Sequence, residues 1–394
     1  MFFFGCWNRD GCMIDDSPLN QVVDLIIENE ANNYEFGIIA GDNSYSNSQV
    51  VGRGPPPKHK KIKHRTHYSQ IINNGIQCIR RIHPDRPIEF QAVLGNHDVE
   101  ENHTGECVAL DRQVENRFIE SNFYTKTHKN SFFIFIDTNI FPLVLSDETK
   151  TILPKCYSIA PTNFITTKIR VDQFFAECVA KCTEIKFDHI FIIGHEPMIT
   201  VKRKQGVTIP IPHKLLKIMI HHFFRFNTTI NYLCADTHNY QYAVIECPPH
   251  QPITHVISGT GGAELDAIDI RSYNGATDDM NYQIREIDVR YGYTEIRIDG
   301  KSIQYNFIPV KQKHDEPAYK AQLSALYTHL DSESKNGVRV GRVDRPLVGM
   351  DDPSFVGTDD RSFVGTDAKS ALQLRPEYKT TKTKYINLVR TMNR

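Results

Sequence analysis

The sequence of 394 residues lacks any long hydrophobic run. No stretch approaches the roughly 18 consecutive apolar residues that a membrane-spanning helix needs. The apolar start of the chain, in MFFFGCWNRDGC, is too short for the core of a signal peptide and has no basic flank before it. We therefore expect a cytoplasmic protein that does not associate with membranes.

The sequence also lacks an excess of either charge. Forty-six basic and 47 acidic side chains leave a formal net charge of -1, which excludes a global attraction to nucleic acid or anionic lipid. Charged residues make up 24% and hydrophobic residues 40%, which is typical of a soluble globular protein. A chain of this length can bury a core ample for independent folding.

A disulfide framework is missing from the cysteine pattern. The nine cysteines are odd in number and irregularly spaced. Because no export signal precedes them, we expect reduced thiols, as in cytosolic proteins. Cys178 and Cys182 lie four residues apart on a predicted helix, and the absence of further zinc spacing favours two buried thiols over a structural zinc site.

Two kinds of segment alternate up to about residue 309. Short runs rich in β-branched and aromatic residues are separated by longer amphipathic ones, which predicts an α/β domain. The segment from Tyr293 to Ile308 predicts a closing hairpin with a type I′ turn at Asp299 and Gly300. The predicted strands are Phe2 to Gly5, Phe36 to Ala40, Glu89 to Leu94, Ser131 to Asp137, His189 to Ile193, Thr229 to Cys234, Tyr242 to Glu246 and His255 to Ser258; the predicted helices are Leu19 to Glu30, Tyr68 to Ile82, Val171 to Cys182 and His213 to Phe226.

The composition becomes polar after the predicted hairpin. We therefore divide the chain into a domain at residues 1–312 and a tail at residues 313–394. The tail contains an imperfect duplication, DDPSFVGT followed by DDRSFVGT. Two copies are too few for a solenoid, so we expect a tail of low order whose repeated motif is a candidate site for another protein.

Two basic stretches offer local positive charge. Three prolines disfavour a helix in the first part of the run from Arg53 to His67, and a helix is predicted from near Arg65. This run is either a cationic rim for a phosphorylated substrate or nucleic acid, or a solvated loop. The lack of interleaved aromatic residues disfavours nucleic-acid stacking. The second stretch, from Lys369 onward, is interpreted more simply as a solvated tail.

Five polar clusters follow or interrupt the predicted strands. In α/β sheets, ligands gather beyond the carboxyl ends of strands, so we expect these clusters to converge. Their carboxylate, imidazole, phenol and amide groups suit two first-row metal ions, which can drive in-line displacement at phosphorus. Any one cluster is more simply a turn or cap, and the ordered series is what indicates metal chemistry. The clusters are GCWN at 5–8, GDNSY at 41–45, GNHD at 95–98, GHEP at 194–197 and ADTHN at 235–239.

The ordered series resembles the motifs of calcineurin-like metallophosphoesterases, and most of all the small purple (tartrate-resistant type) acid phosphatases. The second motif of that subgroup, Gly-Asp-Asn-x-Tyr, is matched by residues 41–45, and its tyrosine distinguishes the subgroup. GNHD and GHEP also match. VISGTGG at 256–262 and GYTEIRI at 292–298 resemble later segments, so the likeness covers about residues 1–309.

The resemblance implies a four-layer α-β-β-α sandwich that holds two metal ions, either iron, manganese or zinc. It implies that Asp42 bridges the ions. It also implies that Tyr45, His238 and the residue at position 6 complete one metal site, and that Asn96, His195 and the residue at position 236 complete the other.

The resemblance further implies that His97 is the general acid and that Asp98 orients it. An unligated imidazole beside two cations can offer a proton near neutral pH, and a neighbouring carboxylate can set its tautomer. The chemistry of the two residues therefore agrees with the implied roles.

Two positions depart from the subgroup's pattern. Asp236 stands where a histidine is expected; it is either a hard ligand that shifts preference toward manganese, magnesium or iron, or an idle turn residue. Cys6 stands where an aspartate is expected. It either binds metal as a thiolate or is a buried thiol, with Asn8 or Asp10 as a substitute ligand.

Our leading hypothesis is a dinuclear metal-dependent phosphatase that hydrolyses a phosphomonoester through a metal-bridging hydroxide. One alternative is a catalytically weakened, phosphoesterase-like binding protein; another is a phosphodiesterase or nuclease. His97 with Asp98 speaks against a binding protein, which needs no leaving-group acid, whereas Cys6 speaks for it. Phosphorylated proteins, nucleotides and small molecules all remain open as substrates.

Overall fold

The computed structural model describes residues 1–9, 12, 17–29, 34–45, 64–82, 88–101, 106–119, 121–140, 156–157, 168–204, 207–210, 220–226, 228–246, 248–266, 268, 274–277 and 280–311. All of them lie in the first of two compact units, Met1–Arg342. The predicted tail and residues 53–63 of the basic run fall outside these residues. Within them, no helix has the length and apolarity needed to cross a bilayer.

The described elements alternate along the chain as an α/β sequence predicts. The helices are α1 (Pro18–Glu28), α2 (His64–Arg80), α3 (Val108–Glu115) and α4 (Lys168–Glu184), and a 3-10 turn spans Asn96–Val99. The strands are β1 (Phe2–Phe4), β2 (Phe36–Ile39), β3 (Glu89–Ala92), β4 (Phe123–His128), β5 (Ser131–Ile136), β6 (His189–Ile193), β7 (Val201–Lys204), β8 (Val207–Pro210), β9 (Thr229–Cys234), β10 (Tyr240–Glu246), β11 (Ile253–Ser258), β12 (Asn274–Thr277), β13 (Met280–Asp288), β14 (Gly292–Asp299) and β15 (Ser302–Pro309).

The first sheet has the strand order β15-β14-β1-β2-β3. Strands β1, β2 and β3 are parallel, and β14 pairs antiparallel with β1. The three phenylalanines of β1 are all fully buried. Because side chains alternate along a strand, Phe3 faces one side of the sheet while Phe2 and Phe4 face the other. Both faces of β1 are therefore covered.

The second sheet has eight strands in the order β12-β13-β10-β11-β9-β6-β5-β4. Its centre is parallel, from β5 through β6 and β9 to β11. Antiparallel strands flank this centre, with β4 on one side and β10, β13 and β12 on the other. All five residues of β6 are buried, as expected for a central parallel strand.

The core lies between the two sheets. The ring of Phe36 on β2 meets that of Phe133 on β5 edge to face, with centroids 5.3 Å apart, and Phe133 stacks on Phe191 of β6 at 4.6 Å. Aromatic pairs in these geometries add to the stabilisation that burial provides. The predicted α/β class is confirmed as a mixed fold with two sheets. Helix α1 contacts α2 and β14, α2 contacts α3, and α4 contacts β4; the four-layer order stays a prediction.

The predicted strands and three of the helices are present to within a few residues, and the helix expected near Arg65 begins at His64. The hairpin is present, but Asp299 pairs with Ser302, so Gly300 and Lys301 form the turn. Only Gly300 has a positive φ, of 56°, which is typical of type II′ and corrects the predicted type I′ turn. The helix predicted from His213 lies largely outside the described residues.

The expectation that all cysteines are reduced thiols is wrong, because the structure contains two disulfides. Cys12 is bonded to Cys78 of α2, and Cys107 is bonded to Cys156. These pairs are 66 and 49 residues apart, so no local spacing in the sequence signals them. Among the described residues, four further cysteines are buried free thiols, including Cys178 and Cys182, and Cys247 lies outside this part of the chain. The cytoplasmic location stays a prediction, and its support from the cysteines is lost.

A tight contact between Asn8 and Gly75 of α2 gives a test of the packing. A Cβ atom at position 75 would lie 2.1 Å from Asn8 Oδ1, and the Asn8 side chain is fully buried. We expect Gly75→Ala to lower the free energy of unfolding by about 1–2 kcal/mol, because overpacking outweighs the better helix propensity of alanine.

Urea unfolding followed by circular dichroism measures this change. Asn8→Gly combined with Gly75→Ala removes the clash, so the double variant should regain the lost stability. If both variants are equally destabilised, the side chain of Asn8 does not limit the space at Gly75.

Candidate metal centre

The predicted clusters converge at the carboxyl ends of parallel strands from both sheets. Cys6 follows β1, and the residues of GDNSY and GNHD follow β2 and β3 in the first sheet. His195 follows β6, and the residues of ADTHN follow β9 in the second sheet. The site therefore lies where the two sheets meet along one edge, as expected for α/β sheets.

Cys6, Asp42 and His195 form the tightest group. Their ligand atoms all lie within 4.8 Å of one another, and all three residues are buried. Cys6 Sγ is 3.8 Å from Asp42 Oδ2, and His195 Nε2 is 3.3 Å from Asp42 Oδ1. The two oxygens of Asp42 thus face different candidate ligands, so this carboxylate can bridge two cations.

Three residues of the site have a left-handed backbone. Cys6, Asp42 and Asp236 have φ values of 52°, 52° and 53°. This region is unfavourable for residues with a Cβ atom, least so for aspartate, and such backbone strain concentrates at functional sites. The conformation turns each side chain sharply at the end of its strand, where a regular strand would direct it along the sheet.

Gly41 and Gly95 allow the backbones of two clusters to approach each other. A Cβ atom at Gly41 would lie 2.7 Å from both Gly95 N and His195 Nδ1, and one at Gly95 would lie 2.2 Å from Asp42 N. Gly41 also has a φ of 82°. Side chains at these positions would separate Asp42 from His195, because there is no room for them.

The two histidines of the site are held by the same kind of contact. His195 Nδ1 is 2.7 Å from the carbonyl oxygen of Ala40, and His238 Nδ1 is 2.7 Å from that of Glu264. Since a carbonyl oxygen can only accept, both Nδ1 atoms carry hydrogen. In the neutral ring this leaves the Nε2 lone pair directed into the site, as in metal-ligating histidines.

Oxygen atoms surround both Nε2 atoms. His195 Nε2 lies 3.1 Å from Asn96 Oδ1, and His238 Nε2 lies 3.4 Å from the hydroxyl oxygen of Tyr45. Burial and the charge of Asp42 raise the pKa of Tyr45 well above its usual range. His195 thus lies beside Asn96 and His238 beside Tyr45, and the roles of these four residues as metal ligands stay predictions.

Asp236 lies close enough to take part in the site. Its Oδ1 atom is 3.9 Å from His195 Nε2, and about a quarter of its side chain is exposed. Burial lowers the pKa of His195, but the charges of Asp42 and Asp236 outweigh this effect and raise it. The carboxylate at position 236 therefore adds negative charge on the side of the site where His195 lies.

Cys6 depends on its surroundings for its charge. Burial and the negative charges of Asp42 and Asp236 raise the pKa of its thiol well above the usual range. A thiolate at this position therefore requires a cation nearby. Asn8 is not a substitute ligand, because its side chain packs against Gly75 of α2. Asp10 lies outside the described residues.

His97 is held by a residue that the sequence did not indicate. Its Nδ1 atom is 2.9 Å from Glu100 Oε2, and its ring lies against that of Tyr45, with centroids 4.6 Å apart. Burial lowers the pKa of His97, but the hydrogen bond to Glu100 and the charge of Asp42 outweigh it, so the pKa rises to about 9. In the sequence, the spacing of three residues between His97 and Glu100 was the one feature that could have indicated this contact.

The structure corrects the role predicted for Asp98. Its Oδ2 atom accepts from the backbone N–H groups of Gly95 and Asn43, at 2.7 and 3.1 Å, and its Oδ1 atom accepts from Gln113 Nε2 at 2.8 Å. The carboxylate is fully buried and is directed at the backbone of the two motif loops. Asp98 therefore holds these loops together, and Glu100 takes the place beside His97.

Two residues of the second sheet hold the loop that carries His195 through hydrogen bonds. The Tyr232 hydroxyl donates to the carbonyl oxygen of Glu196 at 2.6 Å, and the backbone N–H of Met198 donates to His255 Nε2 at 3.1 Å. Because Nε2 accepts, the His255 ring is neutral in the fold. Burial lowers the pKa of His255 to about 3.

Neither a family description nor a curated protein matches this sequence. Seventeen chains among the solved structures match it in fold, and they include the following three. A purple acid phosphatase from yellow lupin is 16% identical over 78% of this chain and 51% of its own, with a TM-score of 0.48. GAP50, the anchor in the inner membrane complex of Plasmodium, is 15% identical over 87% and 96%, with a TM-score of 0.46. PhoD is 9% identical over 85% and 77%, with a TM-score of 0.46.

The similarity to these three structures concerns the fold alone. The first is to a member of the family that the motifs resemble, and this chain spans about half the length of that protein. With identities of 16% or less and TM-scores below 0.5, they transfer no activity. What this chain does has to be inferred from its own side chains.

The buried neutral ring of His255 makes stability depend on pH. Its folded pKa of about 3 lies below the unfolded value near 6.5, so between these values the unfolded chain takes up a proton that the fold excludes. Stability from this group is therefore full above pH 6.5. It falls as the pH drops, by about 1.4 kcal/mol for each unit.

Urea unfolding at several pH values between 7.5 and 4.5 isolates this effect when the protein is compared with His255→Gln. Glutamine can accept the same N–H from Met198 and does not titrate. The difference in unfolding free energy between the two proteins should shift in favour of the variant as the pH falls. Parallel pH curves would show that His255 does not control this dependence.

Proposed function

We propose that this protein is a metal-dependent phosphoric ester hydrolase with two cation sites that share Asp42. The observation that carries the proposal is the common state of His195 and His238. Each donates Nδ1–H to a backbone carbonyl and directs Nε2 at oxygen atoms of other candidate ligands. In the neutral ring of His195 this lone pair faces the oxygens of Asn96 and Asp42, at 3.1 and 3.3 Å, which a cation between them would stabilise. The Tyr45 hydroxyl can donate to Nε2 of His238, and this proton would leave when the two residues bind a cation.

The donor set fits a pair of first-row metal ions. One site would be held by Asp42, Tyr45, His238 and Cys6, and the other by Asp42, Asn96, His195 and Asp236. The contacts of Cys6 and His195 with different oxygens of Asp42 support Asp42 as the ligand that the two sites share. Iron, manganese and zinc all accept mixed oxygen and nitrogen ligands, and a thiolate favours zinc or iron over manganese. Such ions supply Lewis-acid charge and activate water near neutral pH.

The residues of this chain would then supply the proton for the leaving group. His97 Nδ1 donates to Glu100, which directs Nε2 of the same ring away from Glu100. Although burial lowers the pKa of His97, the hydrogen bond to Glu100 favours the imidazolium, and this contact does not depend on the charge of Asp42. Nε2–H of His97 is therefore suited to protonate the alkoxide oxygen of a phosphomonoester, and Glu100 stabilises the charged ring.

A second candidate function is a phosphoesterase-like binding protein with one weakened metal site. The raised pKa of the Cys6 thiol favours it, because a neutral thiol would leave the first site with Asp42, Tyr45 and His238. His97 with Glu100 speaks for the enzyme, since binding alone requires no leaving-group acid. A phosphodiesterase remains a third candidate, and turnover of a diester compared with a monoester separates it from the first.

The proton-transfer role of His97 predicts a dependence on the leaving group. We expect His97→Ala to lower kcat by roughly 10²- to 10⁴-fold on an alkyl phosphate, whose leaving oxygen needs a proton. On 4-nitrophenyl phosphate the loss should be much smaller, because that leaving group departs as an anion. Glu100→Gln should give a smaller loss of the same kind.

Steady-state rates with manganese, iron and zinc measure these effects. His128→Ala is a matched control, since His128 also pairs with a carboxylate, that of Glu35, on the surface. Equal losses on both substrates would remove the acid role of His97. A protein that binds the metals without turnover of monoester or diester would be a binding protein.

The ligand role of Cys6 predicts a spectroscopic signal. Cobalt bound by a thiolate has an intense charge-transfer absorption in the near ultraviolet, which oxygen and nitrogen ligands do not produce. We expect this band in the cobalt-loaded protein and its loss in Cys6→Ser. Cys6→Asp should lose it too, and should shift metal preference toward manganese.

Cys234→Ser is the control for this measurement, because Cys234 is also a buried free thiol at the end of a central strand. It should keep the band. If cobalt binds to the wild-type protein without the band, Cys6 is a buried thiol and the first site lacks this ligand.

A further inference from the structure

The 3-10 turn Asn96–Val99 carries both a candidate ligand and the candidate acid. Its position therefore sets where Asn96 and His97 lie relative to Asp42. Two buried carboxylates, Asp98 and Asp137, hold this turn from different sides. Neither carboxylate is part of the proposed donor set for the cations.

The first contact runs from the turn to α3. Asp98 Oδ1 accepts from Gln113 Nε2 at 2.8 Å, and Gln113 is fully buried on α3. The same Asp98 carboxylate accepts from the backbone N–H of Gly95 at 2.7 Å. A displacement of α3 would therefore be transmitted to the residue that precedes Asn96.

The second contact runs through Asp137, which follows β5. Asn139 Nδ2 donates to the carbonyl oxygen of Gly95 at 3.1 Å and to Asp137 Oδ1 at 2.9 Å. Asp137 Oδ2 accepts from the Tyr157 hydroxyl at 2.5 Å. Burial raises the pKa of Asp137 even though these donors lower it. Tyr157 is thus connected to Gly95 through the buried Asp137 and the partly buried Asn139.

A disulfide joins the two anchors of this network. Cys107 immediately precedes α3, six residues before Gln113, and Cys156 immediately precedes Tyr157. The two cysteines have Cα atoms 5.3 Å apart and are separated by 49 positions in the sequence. The bridge therefore joins the start of the helix that carries Gln113 to the residue next to Tyr157, and the side chains of Gln113 and Tyr157 hold the turn from its two sides.

We infer that the Cys107–Cys156 disulfide, acting through Gln113 and through Tyr157 with Asp137, is a positioning element for the turn that bears Asn96 and His97. Its catalytic consequence rests on the proposed hydrolase function. The positioning itself does not, because it concerns the backbone of residues 95–99. A small misplacement of an acid or ligand is enough to lower a reaction rate by one to two orders of magnitude.

Hydrogen exchange measures the positioning without reference to activity. We expect the full chain with Cys107→Ser and Cys156→Ser to exchange the amides of peptides covering Gly95–Val99 and Asp137–Asn139 at least roughly tenfold faster. Cys12→Ser with Cys78→Ser is the matched control. It removes the other disulfide and should leave exchange in these peptides unchanged.

Kinetics at saturating metal measures the catalytic consequence. We expect kcat on an alkyl phosphate to fall roughly tenfold in the Cys107 and Cys156 double variant, with KM nearly unchanged, because the acid is displaced while substrate binding remains. Tyr157→Phe keeps the bridge and removes only the hydroxyl that donates to Asp137. It should reproduce part of both effects and remains informative if the double variant folds poorly.

Unchanged exchange in the Gly95–Val99 peptide of both the double variant and Tyr157→Phe would overturn the inference. Faster exchange with an unaltered kcat would overturn its catalytic part, and equal effects in the Cys12 and Cys78 control would reduce the bridge to a general stabiliser. If the wild-type protein hydrolyses no phosphate ester, the proposed function fails. The exchange result then still supports or overturns the positioning of the turn.

Discussion

The burial of the Asp42 carboxylate is the constraint on which the site depends. This side chain is almost completely buried at the meeting edge of two sheets, with a thiol on one oxygen and an imidazole on the other. In the described part of the chain, one backbone N–H, that of His97, donates to it. Its side-chain partners are the Cys6 thiol, the Tyr45 hydroxyl and the His195 ring, which are all candidate ligands. An ionised carboxylate is costly to bury unless donors or a positive charge compensate it. The proposed metal pair is the simplest source of that charge.

The other buried carboxylates of the site show the contrast. Asp98 accepts from three backbone or amide groups in the motif loops and from Gln113, and Asp137 accepts from Asn122, Asn139 and Tyr157. Donors therefore satisfy Asp98 and Asp137 within the protein, and these residues hold loops in place. The side-chain partners of Asp42 are instead Cys6, Tyr45 and His195, which are themselves candidate ligands, and this separates Asp42 from the structural carboxylates.

The two departures from the family pattern have different physical consequences. Asp236 keeps an oxygen near His195 and adds charge, so it remains compatible with a hard cation. Cys6 shares the left-handed backbone of Asp42 and Asp236, but burial and the charges of those two residues raise the pKa of its thiol, so a thiolate there needs a bound cation. In the proposed first site, the charge of Cys6 would thus depend on the bound metal, and the choice of metal would depend on Cys6.

The sequence by itself determined the strands that end at the site and the side chains brought there, because hydrophobic periodicity and the ordered clusters are local features. GDNSY, GNHD, GHEP and ADTHN all converge at one edge, as predicted. Only the tertiary structure decided that Glu100 rather than Asp98 contacts His97, and that Ala40 and Glu264 set the histidine tautomers. It alone paired Cys107 with Cys156. Backbone carbonyls carry no residue identity, and contacts between distant positions depend on how the two sheets pack, so neither leaves a signal in a single sequence.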